Sequence, residues 1–164
     1  MGPPGPQGAP GTPASPNPGA RVFATGPEQS IPSGSGGTPV IFTATSFNDA
    51  PGGTPMWSAG APTRLTAQVA GRYVIAAEVH WDEAAGAGTF RELNIRLNGA
   101  ALVASVLTPP VTGGAATGQS VSTIVNMNVG DFVEATVDQN SGLAIGIFVS
   151  PSISPEFMMN RIGP

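Results

Sequence analysis

The sequence has no cysteine and no lysine, a single histidine, and charged side chains at only 10% of its 164 positions. The absence of cysteine excludes a disulfide-stapled scaffold. Six arginines face ten acidic residues, and the resulting net charge of −4 argues against a nucleic-acid-binding protein. No run approaches the ~20 apolar residues that cross a membrane as a helix, and no secretory signal is visible. We therefore expect no nucleic-acid partner and no membrane insertion.

Glycine and proline are abundant instead. There are 23 glycines and 18 prolines, a quarter of the chain against a usual share of roughly 12%. Residues of these two kinds would interrupt the long helices of a bundle or a coiled coil. Hydrophobic residues still make up 40% of the chain, which argues against full disorder. The composition therefore predicts a β protein that is rich in loops.

Glycine and proline are concentrated in residues 1–19, which contain hardly any side chain that could form a core. Within this segment glycine recurs at every third position: Gly2, Gly5, Gly8 and Gly11. This is the collagen pattern, in which three polyproline II chains wind together because only glycine fits at the axis. Four triplets are too few to hold three chains together, so a triple helix requires a trimeric domain downstream. The alternative is a stiff, single-stranded linker.

From residue 20 onward, short runs of alternating apolar and polar side chains are separated by turn residues. Residues 73–81 have the two-residue period of a strand with one buried face. The pair Asn98-Gly99 lies between two apolar runs, which is the strongest short signal for a β-hairpin. Further strands are predicted at residues 39–45 and 143–149, among others. About eight to ten short strands over residues 20–164 predict an all-β jelly-roll sandwich.

Few residues suggest a catalytic or metal site. On a strand, Glu78, His80 and Asp82 would share one face, as a metal or acid–base site requires. A solvated outward face is the favoured interpretation of the same pattern. The sequence contains no nucleophile elbow, no phosphate-binding loop and no zinc-protease motif. We therefore predict no enzymatic activity, no catalytic residue and no cofactor.

Acidic side chains near turns are the other candidates for a metal site. Asp131, Glu134 and Asp138 lie in one predicted strand, and Asp49 lies in a loop. Calcium prefers such oxygen ligands, but the spacing of a calcium-binding loop is absent, so solvated turns are the favoured interpretation. The loop at residues 108–118 is long enough to carry recognition, and a plain connection is equally consistent with it.

Three segments together resemble the trimeric jelly rolls of the complement and tumour-necrosis-factor type. Residues 69–75 are similar to that family's glycine-tyrosine strand, and residues 129–133 to its glycine-aspartate turn. Residues 154–163 resemble its terminal strand, which contains an aromatic residue and a glycine. The resemblance covers residues 20–164 and implies a homotrimer, which would supply the assembly that four collagen triplets need. Animal members often contain cysteines, which this chain lacks.

Within that family the chain resembles the heads of bacteriophage tail and fibre proteins, notably at residues 64–73, 94–100 and 119–124. This resemblance implies a virion protein assembled in the host cytoplasm: a tail fibre, a minor tail protein or a head fibre. Its partners would be two further copies of the chain, other virion proteins and a host cell-surface glycan. The alternatives are a collagen-like bacterial surface or exosporium glycoprotein and, less favoured, a glycan-cleaving virion enzyme.

Overall fold

The computed structural model describes Gly2 and residues 17–50, 53–82, 88–111 and 116–164. These residues form twelve β-strands and no helix. The strands are β1 (Gly19–Phe23), β2 (Gln29–Ile31), β3 (Thr38–Pro39), β4 (Ala44–Asn48), β5 (Arg64–Thr66), β6 (Gly71–Trp81), β7 (Arg91–Leu97), β8 (Ala101–Thr108), β9 (Thr117–Met127), β10 (Phe132–Gln139), β11 (Ile145–Ile147) and β12 (Glu156–Gly163). The described part of the chain thus contains no helix that is long and apolar enough to cross a membrane.

The strands form two antiparallel sheets that pack face to face. The first sheet has the order β2-β11-β6-β12-β1-β4. The strands β11 and β12 pair with successive parts of one edge of β6, and β9 pairs with its opposite edge. The second sheet has the order β3-β10-β7-β8, and β5 also pairs with β10. This is a jelly-roll sandwich, so the fold class predicted from the alternation of side chains is confirmed.

The core lies between the two sheets and follows the predicted alternation. In β6, the side chains of one face are buried and those that alternate with them are at least partly exposed; the buried ones are Tyr73, Ile75, Ala77, Val79 and Trp81. Phe42 and Phe157 stack with their ring centroids 5.6 Å apart. Large apolar side chains of this kind each contribute about 1.5–3 kcal/mol through burial, so alternation in the sequence becomes the main stabilising term of the sandwich.

The hairpin predicted at Asn98-Gly99 is confirmed. Both residues have positive φ angles, 53° and 71°, as a type I′ turn requires. The Asn98 side chain also joins the turn to the start of β10: its Nδ2 donates to Asp131 Oδ1 over 2.9 Å. Its Oδ1 accepts from the Phe132 backbone N–H, also over 2.9 Å. An asparagine therefore serves here both as a residue that tolerates positive φ and as a bridge between loops.

The strand predicted at residues 39–45 is wrong in its middle. The chain changes sheets there, so only the ends of this segment are paired, as parts of β3 and β4. The Val40 N–H donates to Ala135 O in the second sheet, whereas the Thr43 N–H donates to Phe23 O in the first. Val40 and Phe42 are both buried at this crossing. Val40 and Phe42 are thus buried because the chain passes between the two sheets here, and not because they belong to one continuous strand.

The strand predicted at residues 143–149 is also shorter in the structure, where β11 covers Ile145–Ile147 and Leu143 is exposed. The strand β2, of three residues, was not predicted. Short strands such as β2 and β11, which pair with each other, leave too few residues for an alternating pattern to be recognised.

One buried side chain, Gln119 of β9, joins the two sheets at their open edge. Its Oε1 accepts a 2.8 Å hydrogen bond from the Trp81 indole N–H in the first sheet. Its Nε2 donates to Arg91 O at 2.8 Å in the second sheet, and to Thr108 Oγ1 at 3.0 Å and Val106 O at 3.3 Å. Gln119 therefore fixes the separation of β6, β7 and β8 at the edge where β8 and β9 lie next to each other.

The glycines of the predicted collagen-like segment, Gly5, Gly8 and Gly11, lie outside the described residues, and Gly2 is described as a single residue outside any strand. The first strand begins at Gly19, where the glycine-rich segment ends. The proposal of a triple helix therefore remains a prediction from the sequence.

Candidate functional site

The outward face of the first sheet carries a row of polar side chains toward one end of β6. Glu78 of β6 lies directly opposite Glu156 of β12 on one side and Ser120 of β9 on the other. Side chains in direct cross-strand register are neighbours on the same face of a sheet. Strand pairing therefore places two carboxylates and a hydroxyl group side by side.

Arg21 of β1 compensates one of the two carboxylates. Its Nε and Nη2 atoms donate hydrogen bonds of 3.2 and 2.5 Å to Glu156 Oε2. The pair is open to solvent, so it contributes at most about 1 kcal/mol to stability. Its main effect is to hold the Glu156 carboxylate in one position. The other oxygen, Oε1, accepts no hydrogen bond from any described residue.

Glu78 has His80 as its neighbour on the same strand. Glu78 Oε1 lies 3.6 Å from His80 Nε2. The other ring nitrogen, Nδ1, is buried and has no hydrogen-bond partner among the described residues. The imidazole lies against Gly118 of β9, where a Cβ atom would come within 3.1 Å of the ring. Glycine at this position thus makes room for the histidine beside the two carboxylates.

Two clefts meet at Glu78 and Glu156, and together they form what we call the Glu78–Glu156 groove. The first cleft, of about 320 Å³, has Arg21, Ser120 and Met158 among its walls. The second, of about 240 Å³, is closed by His80 and by the loop at residues 152–154. Both carboxylates line both clefts, so the groove runs across β12 and β6 with the acidic pair at its centre.

The groove carries an excess negative charge. Two carboxylates are compensated by the single guanidinium of Arg21, and like charges in direct cross-strand register are unfavourable. Negative charge at this position discourages the approach of an anion and leaves carboxylate oxygens free to accept hydrogen bonds. The arrangement therefore suits a ligand that donates hydrogen bonds and carries no negative charge.

The structure brings together only part of the set Glu78, His80 and Asp82 that was considered as a site. Glu78 and His80 share the outward face, as predicted, but Asp82 follows the end of β6, where its backbone N–H donates to Gly146 O. The third ionisable side chain beside Glu78 and His80 is that of Glu156, from β12. No local pattern in the sequence identifies Glu156, because its approach to Glu78 depends on the register between β6 and β12.

Three of the four acidic residues considered for calcium, Asp131, Glu134 and Asp138, accept hydrogen bonds within turns and strands instead. Asp131 accepts hydrogen bonds from the Asn98 side chain and the Asn128 backbone N–H, and these, the Asn98 bond first, lower the pKa of its carboxyl. Glu134 accepts a 2.8 Å hydrogen bond from the Thr63 hydroxyl group. Asp138 accepts from the Gln139 backbone N–H. In the described ranges no three acidic or histidine side chains converge as metal ligands would.

The loop at residues 108–118 is described except for residues 112–115. Its first part is joined to the start of β9, because the Val111 N–H donates to Thr117 Oγ1 over 2.9 Å. A role of this loop in recognition remains a prediction.

No family model and no curated protein matches this sequence. The structure is nevertheless similar to the crystal structure of murine APRIL, with a TM-score of 0.64, 8% sequence identity, and coverage of 89% of this chain and 99% of that chain. At this level of identity the similarity concerns the fold alone. The chain thus has a jelly roll of the tumour-necrosis-factor type, the fold that the resemblance at residues 69–75, 129–133 and 154–163 implies.

Proposed function

We propose that this chain is a homotrimeric structural protein of a bacteriophage virion, in a tail fibre, minor tail or head fibre position, and that its jelly-roll head binds the host cell surface. The observation that carries the proposal is the tumour-necrosis-factor-type sandwich with two separate exposed apolar patches. The phage-like segments and the glycine triplets of the sequence support it further.

The first patch, which we call the first-sheet patch, consists of Val74 and Ile124 on the outward face of the first sheet. Val74 and Ile124 are in direct register, and Ile124 is 61% exposed. The second, the β8 patch, consists of Leu102 and Leu107 on the outward face of the second sheet, and these are 53% and 60% exposed. The two patches therefore face opposite sides of the sandwich.

Two different patches favour a ring over a two-fold dimer. A dimer of the two-fold kind buries one patch against itself, whereas contact between unlike patches builds a closed ring when the rotation closes. A trimeric ring leaves three identical heads able to engage a surface polymer at once, so that weak contacts gain in strength through multivalency. The proposal therefore assigns adhesion rather than chemical turnover to the head.

Light scattering tests the assembly. At micromolar concentration we expect three times the 16.4 kDa mass of one chain. Ile124→Glu places a charge in the first-sheet patch and should yield monomers, whereas Leu143→Glu, at an equally exposed position outside both patches, should leave the trimer intact. A stable monomer of the unaltered chain would contradict the proposal.

Electron microscopy of purified virions labelled with an antibody to this chain tests the location. Label on tails or capsids is the expected result. Label on the surface of bacteria or spores, with none on virions, would replace the proposal with the bacterial glycoprotein alternative. Release of reducing sugar from host envelope polysaccharide would show that the head is an enzyme and would overturn the adhesive role.

A further inference from the structure

We propose that the Glu78–Glu156 groove is a binding site for a saccharide that carries no negative charge, the part of the host surface that the head recognises. This inference rests on the proposed function, because it names the ligand class and the site for the adhesion suggested there. A saccharide presents several hydroxyl groups around a ring whose C–H faces are apolar. Its site must therefore combine hydrogen-bond acceptors and donors with a small apolar floor.

The groove offers this combination on rigid strands. Glu78 and the free Oε1 of Glu156 are acceptors, and the hydroxyl groups of Ser120 and Ser122 can both donate and accept. Neither serine side chain makes a hydrogen bond to any other described residue, so both hydroxyl groups remain available to a ligand. The methyl group of Ala76 and the side chain of Met158 line the same cleft and supply its apolar part.

The polar groups are held in place before a ligand arrives. Glu156, Glu78 and Ser120 lie abreast on three adjacent strands, whose spacing of about 4.8 Å is set by the backbone hydrogen bonds of the sheet. Arg21 fixes the orientation of the Glu156 carboxylate through two hydrogen bonds. Less conformational freedom is therefore lost on binding than at a site built on loops.

Charge determines which saccharides fit. With two carboxylates against one guanidinium, the groove repels uronic acids, sialic acids and phosphorylated sugars and accepts neutral sugars, whose hydroxyl groups donate to the carboxylates. Hydrogen bonds to charged acceptors are about twice as strong as neutral ones, so each hydroxyl bound in this way contributes substantially to affinity.

The position of the groove is compatible with assembly. Val74 of the first-sheet patch lies four residues along β6 from Glu78, which corresponds to about 13 Å. The acidic pair thus lies toward the end of β6 away from Val74, beside the loop at residues 152–154. Ala76 and Ser122, at the other end of the groove, are two residues from Val74 and Ile124 and border the patch. Three copies of the groove in a trimer would give the multivalent contact that the proposed function requires.

The test uses the full chain with ¹³C-labelled methionine methyl groups. Met158 lines the groove, whereas Met56 and Met127 are buried in the core and report on any global change. The Met158 signal is assigned by its loss in Met158→Leu. Glucose, galactose, mannose and N-acetylglucosamine are titrated separately, with glucuronate as the acidic probe. We expect at least one neutral sugar to shift the Met158 signal in a saturable way, without shifts at Met56 or Met127.

Two variants locate the binding. Glu78→Gln should weaken the affinity for that sugar by about tenfold or more, because it removes a charged acceptor. Glu92→Gln, a matched change on the outward face of the second sheet, should leave the affinity unchanged. No shift of Met158 with any of the four neutral sugars would overturn the inference, as would an equal shift with glucuronate or an unchanged affinity in Glu78→Gln.

The outcomes separate this inference from the proposed function. If antibody labels virions and the protein adheres to host cells while Met158 stays unshifted, the saccharide site is wrong and the virion role stands. If a neutral sugar shifts Met158 but no label is found on virions, the virion role is wrong and the saccharide site stands.

Discussion

The hydrogen bonds of Gln119 predict a large loss of stability when its amide is replaced by an apolar group of similar size. Gln119→Leu keeps the volume of the side chain but removes the Oε1 acceptor and the N–H donors of Nε2. The Trp81 indole N–H, which is buried, then has no partner at 2.8 Å, and Arg91 O and Thr108 Oγ1 each lose a hydrogen bond. The effect should therefore come from unsatisfied polar groups and not from a cavity.

The expected size of the effect follows from these contacts. A buried donor that is left without a partner costs about 1–3 kcal/mol, and each hydrogen bond lost at a group that retains other interactions costs about 0.5–1.5 kcal/mol. Together these contributions lower the free energy of unfolding by about 3 kcal/mol. For a domain of this size, that corresponds to a fall in Tm of about 6–12 °C.

Urea denaturation at one fixed protein concentration measures this change, because the stability of an oligomer depends on concentration. Asn126→Ala is the control, since Asn126 lies on the same strand with an exposed side chain, and it should change the free energy of unfolding by no more than about 0.5 kcal/mol. If Gln119→Leu lowers the free energy of unfolding as little as this control does, the Gln119 bridge between the two sheets does not stabilise the protein.

Two further variants test the backbone and the pH dependence. At Gly71 the φ angle is +148°, and an added Cβ would lie 2.3 Å from Gly163 O. Gly71→Ala should therefore lower the free energy of unfolding by at least about 2 kcal/mol. An unchanged urea midpoint would refute this. The pKa of Asp131 is lowered from 3.8 by its hydrogen bonds, so its contribution to stability is complete above pH 3.8 and is lost as the pH falls through the folded-state pKa. Asp131→Asn should therefore flatten the loss of stability below pH 3.8, and acid-denaturation curves that stay parallel to those of the unaltered chain would contradict it.

Local patterns in the sequence predicted those features of the fold that depend on local physics. The alternation in residues 73–81 predicted which face of β6 is buried, because the side chains of a strand point alternately to its two faces. Asn98-Gly99 predicted a hairpin because few residues tolerate positive φ. The crossing between sheets at residues 40–43 was misread, since an apolar run looks the same whether its residues are buried along one sheet or between two.

Features that depend on register could not be predicted in this way. Glu78 and Glu156 are far apart in the sequence, and a shift of one residue in the β6–β12 pairing would place Glu156 on the core face. Gln119 reads as one polar residue in an alternating strand, although its side chain faces inward and satisfies both sheets. Polar groups that meet only through the pairing of distant strands have no characteristic spacing in the sequence by which they could be recognised.

The place of β12 in the first sheet has a consequence for how the protein is made. This strand lies between β1 and β6, so Gly19 pairs with Asn160 and Glu78 with Glu156. While the chain is being synthesised, β1 and β4 can pair with each other but have no neighbour that joins them to the rest of the sheet until residues 156–163 leave the ribosome. The first sheet therefore closes only after residues 156–163 have been synthesised, with strand edges exposed until that moment. Ribosome-bound chains that lack β12 should remain open to proteases and to association with one another.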